Sequence, residues 1–372
     1  MWNLKKSAVD IKKNTIQKIQ KSLARWYQKN RLDLPWRKTD DPYRVWISEV
    51  MLQQTRIETV IPYYNRFMDK YPEIKFLAES DLQSVLKIWE GLGYYARARN
   101  MHKAAQIICE KFQGRLPDTR EGLLKLPGIG EYISAAIASI SFRIPAAVVD
   151  GNVKRVLARL FMDSTPTNDT GRKNLFESYA AKLLDQDQPG DFNQAVMELG
   201  QRICRPGNPI CSDCPVQEFC KVFQTNRIDQ YPVRVDRKSV PLKKMNYAIV
   251  FQGKKCLLLR RPAKGLLGGL WELPGYEQHH RTAPGKQLEN MICRMTGIRI
   301  RVEEKIGTVS HAYTHFKVAA NVYLCFYKSG EICLNGPTEH QWILPAEIHH
   351  YPCHKLIHKI FPMLHGLANQ DE

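Results

Sequence analysis

Apolar positions recur at helical spacing through the first part of the chain. Ile16, Ile19, Leu23 and Trp26 share one helix face, as do Leu82, Val85, Leu86 and Trp89. Pro35, Pro42, Pro72, Pro117 and Pro145 punctuate the gaps. From Met245 the period changes. Tyr247, Ile249 and Phe251 alternate before Gly253, and Val318, Ala320, Val322 and Leu324 alternate later, so strands now dominate. Residues 226–244 carry Pro232, Pro241 and the basic run Arg234, Arg237, Lys238, Lys243 and Lys244, with no periodic apolar face. The pattern predicts a helical domain over 1–225, an interdomain linker over 226–244 lying on an acidic surface or on DNA, and a strand-rich domain over 245–372.

Length and charge agree with two domains and a polyanionic partner. The chain has 372 residues, with 55 Lys and Arg against 37 Asp and Glu, a net charge of +18. Many basic proteins bind no nucleic acid, so charge only permits that partner. No apolar run approaches the ~20 residues of a membrane span, and Met1–Asn14 lacks the apolar core of a secretory signal. A soluble intracellular protein is expected, with its cysteines as thiols or metal ligands rather than disulfides.

Four of the ten cysteines fall close together as Cys204-x6-Cys211-x2-Cys214-x5-Cys220. Pro206, Pro209 and Pro215 between them suit a compact loop wrapped round a metal. Zinc and iron–sulfur clusters both take four thiolates, and spacing alone leaves both open, although zinc sites more often come as two Cys-x2-Cys pairs. Cys109, Cys256, Cys293, Cys325, Cys333 and Cys353 show no ligand spacing.

Two carboxylates and one turn carry candidate chemistry. Glu49 lies in Val45–Leu52, a segment apolar on nearly every face, where burial would raise its pKa and keep a proton available to donate. The plainer reading, which periodicity favours, puts Glu49 on a wet face paired with Arg56. Asp150-Gly151-Asn152 precedes Val153–Leu157 and reads as a helix start, where the helix N-terminus favours an ionised carboxylate. Leu126-Pro127-Gly128-Ile129-Gly130 forms a tight turn between helical segments, whose backbone N–H groups can approach an anion.

Ser48–Thr55, Leu92–Arg99, the glycine turn, Val149–Val153 and the cysteine loop occur in the order seen in adenine DNA glycosylases, the MutY family, and the chain resembles that family along its whole length. The resemblance implies an all-α helix-hairpin-helix glycosylase core, closed by a [4Fe–4S] loop on Cys204, Cys211, Cys214 and Cys220. Arg202, Arg205 and Lys221 are near that loop and expected to face phosphate. It implies hydrolysis of the N-glycosidic bond of adenine mispaired with 8-oxoguanine or guanine in duplex DNA. Glu49 protonates the base, Asp150 meets the sugar cation, and Tyr132 and Asn152 position Asp150 and the water. Trp36, Arg37 and Gln194 line the adenine pocket. Gln54 and Tyr94, with Thr55 and Leu92 beside them, wedge into the gap left when the base is extruded. The hairpin Leu126, Pro127, Gly128, Ile129 and Gly130 grips a phosphate. Strand-cutting relatives carry a lysine two residues past the last hairpin glycine; here Tyr132 stands there and cannot form a Schiff base. A monofunctional enzyme is expected.

Residues 245–365 resemble the Nudix fold, making the whole an α plus α/β two-domain architecture. Gly268–Gly275 leads into a helix that should carry Arg-Glu-x-x-Glu-Glu in a working hydrolase. This chain offers Asn290-Met291-Ile292-Cys293-Arg294-Met295 instead, which argues against nucleotide hydrolysis. In the resembled family this domain recognises 8-oxoguanine, and Val309–Phe316 matches the recognition loop, with Tyr313 stacking on or wedging beside the base, Thr314 as the donor–acceptor and His315 at phosphate. His311 and His315 could alternatively be a metal pair, but no third ligand accompanies them. A non-catalytic iron–sulfur DNA-binding protein would lack Glu49 or Asp150, and both are present. The implied protein is a monomer in the bacterial cytoplasm, associated with the nucleoid through DNA.

Overall fold

The computed structural model describes residues 11–169, 171, 173–235, 239–278 and 284–368. The chain divides into two compact units, Met1–Ala78 with Lys103–Arg237 and Glu79–His102 with Lys238–Glu372. Helices run in the order α1 (Lys13–Asn30), α2 (Pro42–Leu52), α3 (Ile57–Lys70), α4 (Ile74–Glu79), α5 (Leu82–Trp89), α6 (Ala96–Phe112), α7 (Arg120–Leu124), α8 (Glu131–Ser141), α9 (Gly151–Phe161), α10 (Lys173–Leu183), α11 (Pro189–Arg202) and α12 (Lys221–Gln224).

The first unit is helical, as the 3.6-residue pattern requires. α2 starts where Asp41 accepts from the Tyr43 amide at 2.9 Å and Pro42 supplies a first-turn residue with no N–H to satisfy. Eight of its eleven residues are buried, Glu49 among them. It packs on α8, whose Ile133–Ser139 are all buried. Gly200 on α11 lets that helix meet α9 closely, because a Cβ there would stand 2.7 Å from the Asn152 Cβ. Each large apolar side chain buried this way contributes about 1.5–3 kcal/mol.

The second unit is built on a sheet of β1 (Leu242–Gln252), β2 (Lys255–Arg260), β3 (Trp271–Glu272), β4 (Gly275–Glu277), β5 (Arg299–Ala312), β6 (Lys317–Ser329) and β7 (Glu339–Ile343). The order is β3-β2-β1-β6-β5, with β4 paired to β1 and β7 to β2; β1 and β6 are parallel, and the other pairs antiparallel. Alternation along β1 and β6 sends Tyr247, Ile249, Val318, Ala320 and Val322 to one face, under α14 (Lys355–Ala368). The other face sends Ala248, Val250, Tyr323 and Cys325 under α13 (Pro284–Thr296).

Two stretches differ from the expected layout. Residues 79–102 form the expected helix, capped by Asp81, but pack within the second unit. Gln83 donates to the Gly269 carbonyl at 3.1 Å and accepts from Trp271 Nε1 at 2.9 Å. Glu90 accepts from the Cys353 amide at 2.7 Å and lies 2.8 Å from His358 Nε2. These pairings span well over a hundred residues, beyond any local pattern. The expected linker is partly structured: Tyr231 and Val233 carbonyls accept from Arg159 Nε and the Thr167 amide, and Leu242 already begins β1. Arg237 and Lys238 lie outside the described residues.

Candidate active site

The expected catalytic and pocket residues converge on one cavity of about 620 Å³ in the first unit. Trp36, Arg37, Glu49, Tyr132, Asp150 and Gln194 line it, and Gln54, Thr55 and Asn152 share the wall. They come from α2 and the turn after it, α8, α9 and its N-cap, α11 and the short 3₁₀ turn Pro35–Arg37, so packing of these elements assembles the site.

Glu49 is 5 % exposed, and the Tyr132 hydroxyl donates to its Oε2 at 2.6 Å. The wet-face reading of Glu49 is therefore overturned: α8 closes over that side of α2. Burial pushes the Glu49 pKa up to about 7; Asp150 reinforces the rise, while the Tyr132 bond and Arg37 oppose it. Burial also lifts the Tyr132 phenol well above its ordinary range, so it stays a neutral donor. Tyr132 was expected to position Asp150; its bond goes to Glu49.

Asp150 is the N-cap of α9. Its Oδ1 accepts from the Val153 amide at 2.7 Å, and its Oδ2 from Asn152 Nδ2 at 2.9 Å. Burial nevertheless raises its pKa, so the cap bonds and Arg155 moderate the rise rather than depress the pKa as the helix end alone would.

Three residues missed from sequence support this wall. Arg155, buried one turn along α9, donates to Asn152 Oδ1 at 2.9 Å, the Gly200 carbonyl at 2.7 Å and the Cys204 carbonyl at 2.7 Å. Glu198, fully buried, holds Arg37 and accepts from Arg202 at 2.6 Å. Arg202, expected to face phosphate, is thus committed to an internal pair. Arg234 also lines the cavity. The position of Arg155 on the helix that Asp150 caps and the basic run that carries Arg234 were the signals available; nothing in the sequence placed Glu198 at the site.

The cysteine loop forms a second, small apolar cavity lined by Cys204, Cys211, Cys214, Cys220 and Arg159. Burial raises the thiols of Cys211, Cys214 (to about 12) and Cys220, and neighbouring sulfurs raise them further. Arg159, itself buried, places Nη1 3.4 Å from the Cys204 sulfur. Four crowded thiols, three of them desolvated, suit a cationic iron group, which would hold them as thiolates.

In the glycine turn, Leu126 and Ile129 are buried anchors, while Gly128 has φ +79°, a conformation that favours glycine. Gly130 precedes α8 with no side-chain cap, leaving its first amides to another acceptor.

Leu92, Tyr94, Tyr313, Thr314 and His315 lie in the second unit, whereas Arg205 and Lys221 lie in the first. Tyr94 is exposed, with a left-handed φ of +50°, and its hydroxyl is 2.5 Å from Thr314 Oγ1. Gln54, in the first unit, is likewise left-handed at φ +56°; such backbone strain in non-glycine residues concentrates at functional positions. Leu92 is only 6 % exposed and is a core residue here, not a free wedge. Thr314 and His315 are exposed on the turn between β5 and β6. The Tyr313 ring, expected to stack on or wedge beside a base, is met edge-on by His311 at 4.5 Å and lies tilted against Phe316 at 4.8 Å.

Residues 47–181 match the HhH-GPD superfamily of base excision DNA repair proteins, and residues 246–363 match the NUDIX domain. Over 57 % of the chain the fold is similar to all but 2 % of a thermostable thymine-DNA glycosylase (TM-score 0.53, 28 % identity). With the carboxylate-lined cavity, this defines the class as a helix-hairpin-helix base-excision protein with an appended Nudix-like domain. Similar proteins include the adenine DNA glycosylases of Mus musculus (35 % identical, covering 82 % of this chain and 70 % of that one) and of Buchnera aphidicola subsp. Schizaphis graminum (33 %, 85 % and 90 %). The chain belongs to the adenine DNA glycosylase family. No helix among the described residues is long and apolar enough to cross a membrane.

Proposed function

We propose that this protein hydrolyses the N-glycosidic bond of adenine mispaired with 8-oxoguanine, or with guanine, in duplex DNA. The observation that carries the reading is the pair of buried carboxyls on one cavity, each with its own positioning donor: Tyr132 on Glu49 and Asn152 on Asp150. Glycosidic cleavage needs a proton for the departing base and negative charge beside the sugar cation. Glu49, held near pKa 7, gives its proton to a ring nitrogen as the C1′–N bond breaks and the bonding electrons leave with the base. Asp150 faces the resulting oxocarbenium ion. Water then adds its hydroxide to C1′, and its proton returns to a carboxylate, leaving free adenine and an abasic sugar. Trp36 supplies a flat wall, and Gln194 an amide suited to adenine's donor–acceptor edge.

The turn Leu126–Gly130 holds a phosphate of the double-stranded partner through backbone amides. Gln54 and Tyr94 fill the gap in the stack, with Thr55 beside Gln54. Thr314 reads the base opposite, with His315 at a phosphate beside it; the hydrogen bond that joins Thr314 to Tyr94 supports the role of Thr314. Cys204, Cys211, Cys214 and Cys220 hold a [4Fe–4S] cluster that pins their loop. The enzyme acts as a cytoplasmic monomer.

The test is incubation with a duplex bearing A opposite 8-oxoguanine. Abasic sites should accumulate, with strand breaks only after alkali. Strand breaks before alkali, with a borohydride-trapped adduct, would replace the hydrolytic reading by a lyase. No excision by iron-loaded protein would remove the adenine reading altogether.

A further inference from the structure

Beneath the turn between β5 and β6 runs a line of polar groups that the excision chemistry does not use. The Tyr313 hydroxyl stands 3.3 Å from Nδ1 of His354, a residue only 1 % exposed, just before α14. Nε2 of His354 stands 3.2 Å from Oε2 of Glu272 on β3, and Arg261 donates from Nη1 to Oε1 of the same carboxylate at 2.6 Å. Arg261 is fixed in turn by its Nε bond to the Leu266 carbonyl at 3.1 Å. A carboxylate can only accept, so with a neutral imidazole the proton belongs on Nε2, and Nδ1 is left to accept from the phenol. The chain then has one direction: Tyr313 to His354 to Glu272, with Arg261 holding the far oxygen.

Tyr313 is the residue on which the turn hangs. Its amide donates to the Phe316 carbonyl at 2.9 Å, and its ring is clasped by His311 and Phe316. With ring and hydroxyl both held, the next two residues, Thr314 and His315, project from a fixed base. We infer that His354, oriented by Glu272 and Arg261, is a positioning residue for recognition of the base opposite the adenine, acting through the Tyr313 hydroxyl on the placement of Thr314. This rests on the reading of Thr314 as a recognition side chain.

The test is a double-mutant cycle on full-length protein, read as the ratio of single-turnover excision rates on A:8-oxoguanine and A:G duplexes. Tyr313→Phe keeps the ring and removes only the hydroxyl. Tyr313→Phe and His354→Leu should each lower the ratio about two- to ten-fold, the range of one hydrogen bond. The double variant should be no lower than the worse single one, because both remove the same link. A purely structural loss at His354 would instead multiply with Tyr313→Phe, and that result, or an unchanged ratio in His354→Leu, overturns the proposal. If His354→Leu lacks a cooperative thermal transition, Glu272→Gln takes its place in the cycle with the same expectation and the same refuting outcome. Thr314→Ala separates the two levels. An unchanged ratio in Thr314→Ala defeats the recognition reading itself. A lowered ratio there, with His354→Leu at the wild-type value, defeats only the role of His354.

Discussion

Glu49→Gln should abolish excision and yet stabilise the protein at alkaline pH. The side chain is 5 % exposed and its pKa is raised from 4.5 to about 7, chiefly by burial. The folded state therefore binds this proton more tightly than the unfolded chain does. The stability it contributes is fully present below pH 4.5, declines as pH rises through the window to about 7, and above that the folded state carries the whole cost of a buried carboxylate. Raising the pKa from 4.5 to about 7 corresponds to about 3 kcal/mol at full ionisation. Most of it develops between pH 5 and 8.5, giving a change of about 2–3 kcal/mol across that interval. Glutamine removes the titration while its Oε1 can still accept from Tyr132. The assay is urea unfolding of wild type and Glu49→Gln at both pH values. The difference in unfolding free energy should move in favour of the variant by that amount on going to pH 8.5. The companion measurement is the single-turnover rate of wild type, which should fall about tenfold per unit above pH 7 as the acid loses its proton. A stability difference independent of pH, together with a rate flat from pH 6 to 9, would refute both the raised pKa and the role built on it.

Asp150→Asn should slow excision roughly hundred-fold or more while leaving affinity for the A:8-oxoguanine duplex largely intact, because phosphate contacts supply most of the binding; a near-normal rate contradicts its place beside the sugar cation. Tyr132→Lys puts an amine next to Glu49, and some borohydride-trapped strand cleavage is expected that wild type lacks; efficient trapping by wild type would point to another amine. Arg155→Met leaves the Gly200 and Cys204 carbonyls without their donor, at about 1–3 kcal/mol each. Iron content and excision should therefore fall together, and loss of one without the other would separate the cysteine loop from the Asp150 wall. Protein purified anaerobically should be yellow-brown with about four irons per chain; stoichiometric zinc in a colourless preparation would reassign the cysteine site.

Local pattern was enough for much of this protein. Helical spacing marked α1 and α5, alternation marked β1 and β6, and the Asp-Gly-Asn signal placed Asp150 at the start of α9. These features depend on residues within a turn or two of one another, where side-chain period and capping chemistry decide the backbone. The clustering of Cys204, Cys211, Cys214 and Cys220 was likewise legible, since a short loop leaves them few places to go.

Tertiary structure decided the rest. Periodicity sent Glu49 to water, and only packing against α8, which carries Tyr132 83 residues later, buried it and raised its pKa. Leu92 and Tyr94 look alike as wedge candidates in sequence, yet one is packed in the core and the other exposed on a left-handed backbone. Tyr313 read as a side chain free to meet a base until His311, Phe316 and His354 closed round it. The roles of Arg155 and Glu198 were not legible because the partners that tie them across this wall, the Cys204 carbonyl and Arg37, lie on other elements. Burial and ionisation are properties of a neighbourhood, and a neighbourhood of residues distant in sequence exists only once the chain has folded.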